Sequence, residues 1–216
     1  MTHLKLVIGN KNYSPWSLIT WITLKQAGIE FEEIRILLDL PTTHERIRQY
    51  SPTGRVPVLL DGEINIWESL AICEYVTENY APQLLPEDRT SRAIARSIIC
   101  EIFFGFHNLR KNMPLDCRAR YPGEGMTIEV QADINRITEI WRNCRDRFGK
   151  EGDFLFGKFT LADAMFAPVV SRFITYGVKL DSHSQKYVKT MLALPTMQEW
   201  LEAAHQETES IDHYPF

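Results

Sequence analysis

The chain is predicted to hold two units of different class: a mixed α/β unit over residues 1–80 and an all-helical unit over 90–216, joined by a linker at 81–89. Three observations predict this division. Strand-like runs alternate with helical patterns before residue 80, and the linker carries Pro82, Pro86 and Glu87-Asp88. Beyond Thr90 the apolar spacing is almost wholly helical, and such a change of class across a proline-bearing stretch marks a domain boundary.

In chain order, Leu4 to Ile8 reads as a strand and Gly9-Asn10-Lys11-Asn12 as a loop of turn formers. Ser14 is placed to cap a helix that Pro15 opens. Leu18, Ile19, Trp21, Ile22, Leu24 and Ala27 recur at helical spacing, and Gly28 stops the run. Phe31 to Leu37 is a second strand, giving a right-handed strand–helix–strand crossover, and Thr42 to Gln49 is a short polar helix. Val56 to Leu60 and Glu63 to Trp67 flank Asp61-Gly62, a two-residue hairpin signal, and a helix follows from Glu68 to about Glu78. These elements complete a thioredoxin-like unit. The helical unit is read as long helices over Arg92–Met113, Ile128–Phe148 and Leu161–Tyr176, with shorter ones over Gln185–Leu192 and Pro195–Glu207. Phe154-Leu155-Phe156 is its one strand-like run, and Thr160-Leu161-Ala162-Asp163 is a capping box.

The composition narrows the function classes. With 44% hydrophobic residues in 216, the chain can close a substantial core, and a formal charge of −4 with no basic stripe argues against nucleic-acid binding. There is no apolar run of bilayer length and no signal-peptide pattern, so a cytoplasmic location and no membrane partner are expected. Cys73, Cys100, Cys117 and Cys144 form no C-x-x-C pair. They signal neither a zinc site nor a redox pair, and no metal is expected.

The stretch from Ser51 to Ser69 organises the functional reading. A cis bond at Val56–Pro57 would present the Val56 main chain as a free edge for an extended peptide. Ser69, at a helix start, suits a carboxylate, and Glu68 suits an ammonium. An edge beside such a clamp fits a very small peptide, and γ-glutamyl-cysteinyl-glycine meets the description. The run Ser51-Pro52-Thr53-Gly54-Arg55-Val56-Pro57-Val58-Leu59, followed by Glu68-Ser69-Leu70-Ala71-Ile72, resembles the cis-proline and Glu-Ser elements of glutathione S-transferases; Ser51 stands where the family usually has Asn. The capping box at Thr160 is similar to one in the family's helical domain. The resemblance covers nearly the whole chain and implies the glutathione transferase fold, glutathione as co-substrate and a two-fold homodimer.

A thiol with a pKa of about 8.5 is only a few per cent thiolate at neutral pH, and lowering that value by about two units takes roughly 2.7 kcal/mol. One hydroxyl donating to the charged sulfur (about 1.5–3 kcal/mol) at a helix N-terminus (about 0.3–1) is sufficient. Ser14 fills this place, with Ser17 as the second candidate and Tyr13 as a further donor. Ser14 and Ser17 resemble the serine pair of the zeta class, which includes maleylacetoacetate isomerase and carries Ser-Ser-Cys-Ser at this point. Pro15 and Trp16 replace the second Ser and the Cys, which puts isomerase and thiol-transfer chemistry in doubt.

Among His44, Arg46 and Arg48, which follow the second strand, His44 is the candidate chosen for the glycyl carboxylate. A small electrophile is expected between the units, near Tyr13 and against Phe103, Phe106, His107 and Arg110, which share a helix face at i, i+3, i+4 and i+7 spacing, with Arg172 and Tyr176 at i and i+4 on the third long helix. The expected function is glutathione conjugation. A glutathione-dependent cis–trans isomerase and a non-catalytic partner-binding protein of the same fold are the alternatives.

Overall fold

The computed structural model describes residues 4–211. Its first seven elements are β1 (Leu4–Ile8), α1 (Pro15–Gln26), β2 (Phe31–Arg35), α2 (Thr43–Arg48), β3 (Val58–Asp61), β4 (Ile64–Trp67) and α3 (Ser69–Asn79). The sheet runs β2-β1-β3-β4, with β1 parallel to β2 and antiparallel to β3, and β3 antiparallel to β4. This is the expected thioredoxin-like arrangement.

Strand periodicity divides the apolar residues between two faces. Leu4, Leu6, Ile8 and Leu59 enter the main core beneath α1 and α3, whereas Val7 and Val58 join Ile36 and Ile47 on the opposite face, under α2. Ser14 caps α1, accepting from the Ser17 N–H at 3.3 Å, and Pro15 is its first residue. Ala27 closes the helix, and Gly28 follows with φ of 71°, a left-handed conformation that glycine adopts without a Cβ clash.

The helical half comprises α4 (Arg89–Phe104), α5 (His107–Asn112), α6 (Ile128–Phe148), α7 (Leu161–Thr175), α8 (Ser182–Leu192) and α9 (Pro195–Gln206). Buried Val130, Ile134, Ile137, Trp141 and Cys144 give α6 its single apolar stripe. The capping box forms at α7, where the Thr160 N–H donates to the Asp163 carboxylate at 2.8 Å. α1 packs against both α3 and α7, and residues Pro15 and Ser17 to Leu24 are buried. The main core therefore runs without interruption from the sheet to α6 and α7.

Two expectations are corrected. The helix predicted over Arg92–Met113 is broken, because Gly105 is extended and Phe106 adopts the left-handed region (φ 56°, ψ 38°). The break is stabilised from both sides. Arg110 donates to the carbonyls of Ile102 (3.3 Å), Phe103 (3.1 Å) and Gly105, which α4 leaves open, and the Leu109 N–H in the first turn of α5 donates to Asp133 at 2.9 Å. Phe154-Leu155-Phe156 forms only isolated bridges, Phe154 with Gly157 and Phe156 with Lys158. Among the described residues no helix is long and apolar enough to cross a membrane.

Candidate active site

The hairpin and the start of α3 converge on one cleft. The Val56–Pro57 peptide is cis, and the β3–β4 ladder begins only at Val58, so the Val56 backbone lies outside it. Glu68 precedes α3 with φ of 67° and ψ of 123°. A non-glycine residue at positive φ is uncommon, and residues held in such conformations cluster at ligand sites. Val56, Pro57, Glu68 and Ser69 together line a cavity of about 180 Å³, with Trp16, Arg55 and Phe103 completing its wall. Four residues selected from the sequence are thus brought together.

His44 is exposed on α2 and does not line this cleft. It abuts Gly54, where an added Cβ would lie 2.4 Å from the imidazole Cε1, and Gly54 itself has φ of 63°. The ring therefore packs against the turn that delivers Arg55 and Val56.

At the start of α1 the two serines form a buried pair. The Ser14 hydroxyl donates to Ser17 Oγ at 2.8 Å, and Ser17 Oγ also accepts from the Gly9 N–H at 3.1 Å. Ser17 is thereby tied to the end of β1. Ser14 is only 1% exposed, and neither serine lines the cleft. The Tyr13 hydroxyl accepts from Arg118 at 2.9 Å, and Tyr13 lines neither the cleft nor the second cavity described next.

A second, apolar cavity of about 20 Å³ lies between α1 and the helical half. Phe106, Arg110 and Arg172 line it with Pro15, Trp16 and Met165, whereas His107 and Tyr176 do not. His107 is exposed because the break before α5 removes it from the face of Phe103. Arg172 is 2% exposed and donates through Nε to the Met113 carbonyl at 2.8 Å, while the Tyr176 hydroxyl donates to the Pro114 carbonyl at 3.1 Å. These two residues hold the chain that leaves α5. Burial lowers the pKa of the Arg110 guanidinium, with Asp133 opposing the shift.

Trp16 and Arg55 were not singled out from the sequence. Trp16 lines both cavities, its ring 5.2 Å from that of Phe103 and 5.5 Å from the Arg110 guanidinium. Its position directly after Ser14-Pro15 was the available signal, as adjacency to Val56 was for Arg55. The cysteines are all free, and burial pushes Cys73, Cys117 and Cys144 up to about 12, which keeps them protonated and unreactive at neutral pH.

Comparison with known proteins bears on this site and fold. A sequence profile of the glutathione S-transferase N-terminal domain matches residues 13–79, and one of the C-terminal domain matches 127–203. Dichloromethane dehalogenase of Methylorubrum extorquens is 44% identical over 57 residues, a local match covering 26% of this chain and 20% of that protein. The Caenorhabditis elegans protein named "Probable maleylacetoacetate isomerase" is 33% identical over 171 residues, covering 73% of this chain and 76% of its relative. A glutathione transferase homologue from Burkholderia, solved with bound glutathione, superposes with a TM-score of 0.72 at 25% identity, covering 95% of this chain and all of that one. With both halves matched in order and a relative of this extent, the chain belongs to the glutathione S-transferase superfamily.

Proposed function

We propose that this chain is a glutathione transferase that binds the tripeptide in the cleft between Val56 and Ser69 and conjugates its sulfur to a small electrophile. One observation carries the reading: Val56, Pro57, Glu68 and Ser69, which arise from a turn and a helix start, share a single cavity with the first turn of α1. In it the Val56 backbone pairs with the cysteinyl main chain. Ser69 and the open N–H groups of α3 receive the γ-glutamyl carboxylate, and Glu68 receives the ammonium. His44, beside the Gly54 turn, meets the glycyl carboxylate.

Thiol activation falls to Ser14. By turning its O–H away from Ser17 it can donate to a sulfur at the start of α1, where the Trp16 N–H has no carbonyl within the helix to bond. Ser17 stays tied to Gly9 and supports this geometry. The electrophile approaches from the Trp16 and Phe106 side, with Arg110 and Arg172 bordering its apolar end. The protein acts as a homodimer, a state supported by Ile64 and Trp67 on β4 and Phe104 on α4, all exposed in the single chain.

The test is retention on immobilised glutathione followed by titration calorimetry. The wild type is expected to bind, and Ser69→Ala to weaken binding about tenfold or more, since a hydrogen bond to a charged group contributes about 1.5–3 kcal/mol. Failure of the wild type to bind overturns the reading in favour of a non-catalytic module.

A second reading is favoured by the similarity to the C. elegans protein and by the Ser14 and Ser17 pair: a glutathione-dependent cis–trans isomerase of the maleylacetoacetate type. Trp16 at the place of the zeta-class Cys weighs against it. Turnover of maleylacetone, compared with that of a chlorinated nitroarene, separates the two.

A further inference from the structure

We propose that Glu207 is a positioning residue for the thiol-activating end of α1, acting from the far end of the chain on the loop that delivers Ser14. The inference rests on the role proposed above for Ser14. The loop Asn10–Tyr13 joins β1 to α1, and its backbone is held mainly by the helical half. The N–H groups of Lys11 and Asn12 donate to the two carboxylate oxygens of Glu207 at 2.7 and 3.1 Å. The Lys11 carbonyl accepts from the Trp200 indole at 3.1 Å, and the Asn12 carbonyl accepts from the Cys117 N–H at 3.2 Å. The Asn12 side chain is gripped as well, accepting from the Arg118 N–H and donating to Asp116, each at 2.9 Å.

The next residues depend on this grip. The N–H groups of Tyr13 and Ser14 donate to the Asn10 carbonyl at 3.2 and 2.9 Å, closing a tight turn into the helix. Arg118 donates to the Tyr13 hydroxyl and to the carbonyls of Glu207 and Glu209, so the tail and the turn share one guanidinium. Glu207 is itself nearly buried and is fixed by Arg35 of β2 at 2.9 Å. Two adjacent N–H groups that lose their carboxylate here have no ladder to rejoin, so the loop must rearrange to satisfy them. A small displacement of a catalytic hydroxyl suffices to lower a rate.

The test compares Glu207→Ala and the isosteric Glu207→Gln with the wild type by amide hydrogen exchange and by ultraviolet titration of bound glutathione thiolate. We expect Glu207→Ala to lose protection over residues 9–17 while the rest of the sheet and α7 keep theirs, with Glu207→Gln intermediate. Its kcat should fall roughly ten- to a hundredfold while KM for glutathione changes little, because the tripeptide is held elsewhere. The thiol pKa of bound glutathione should rise.

Unchanged exchange over 9–17, or a loss spread evenly through the molecule in both variants, overturns the proposal whatever the activity. A local exchange effect with kcat and thiol pKa unmoved leaves a structural brace and overturns the positioning role. If the exchange effect is present but the wild type does not ionise glutathione, the clamp stands and the reading of Ser14 falls.

Discussion

Trp16 forms a wall between the cleft that holds Val56 and Ser69 and the apolar cavity lined by Phe106, and it is pinned between Phe103 and Arg110. If the chain conjugates glutathione as proposed, an indole in this position limits the space in which an electrophile meets the sulfur. Trp16→Ala is expected to join the two cavities and to raise kcat/KM for a bulky electrophile relative to a small one. Steady-state kinetics with a size series of chlorinated arenes checks this. The cap at Ser14, the opening proline and the Glu-Ser pair were legible because each acts on its immediate neighbours. The wall was legible only in part: Phe103 was read as facing a substrate, but Trp16 and Arg55 come from two other elements, and an aromatic at helical spacing reads equally well as core.

At the scale of elements, the turn between α4 and α5 is held on the α4 side by one side chain, with Asp133 bracing the start of α5. Arg110 carries the carbonyls that α4 leaves open, a hydrogen-bonded charge whose removal exposes buried acceptors. Arg110→Ala is expected to destabilise the fold by about 2–4 kcal/mol and Arg110→Lys by less, since a lysine cannot reach several carbonyls in a planar fork. Urea denaturation measures both. The apolar period from Arg92 to Met113 runs through this break with no proline to mark it. Gly105 was the local signal of a helix end, whereas Phe106 in the left-handed region and its repair by an arginine four residues later carry no pattern of their own.

The capping box at α7 adds a pH dependence. Asp163 is fully buried and accepts from the Leu155 and Thr160 N–H groups and from the hydroxyls of Thr160 and Tyr187. Burial outweighs these bonds and raises its carboxyl from 3.8 to about 6. A carboxyl raised on folding contributes stability that is full below about 3.8 and lost as pH rises through about 6. Asp163→Asn is expected to flatten the stability profile across that window. It should also melt lower at pH 7, because an amide oxygen cannot satisfy four donors. Thermal melts from pH 4 to 8 test both.

For the whole molecule, the main core joins Leu6 and Ile72 of the sheet unit to Trp141 and Phe166 of the helical half. The two halves are therefore expected to unfold together. Far-ultraviolet dichroism and tryptophan fluorescence, the latter reporting from both halves, should give coincident urea transitions. Separate midpoints would show that the halves are stable alone. The class of each half could be read from periodicity, since helices and strands write their period locally. The attachment of Asn12 to a residue 195 positions away could not, because hydrogen bonds to backbone groups carry no pattern in the intervening sequence.

The first helix is enclosed along most of its length, with Pro15 and Ser17 to Leu24 all buried, its apolar residues sharing one core with the sheet while it packs against α3, α7 and α9. Such an element cannot pivot as a unit without opening the interior on two sides. Its N-terminal end is thus a stationary anvil, and room for a differently shaped reaction partner comes from substitution at the indole of Trp16 or from the solvent-facing arginine at position 55.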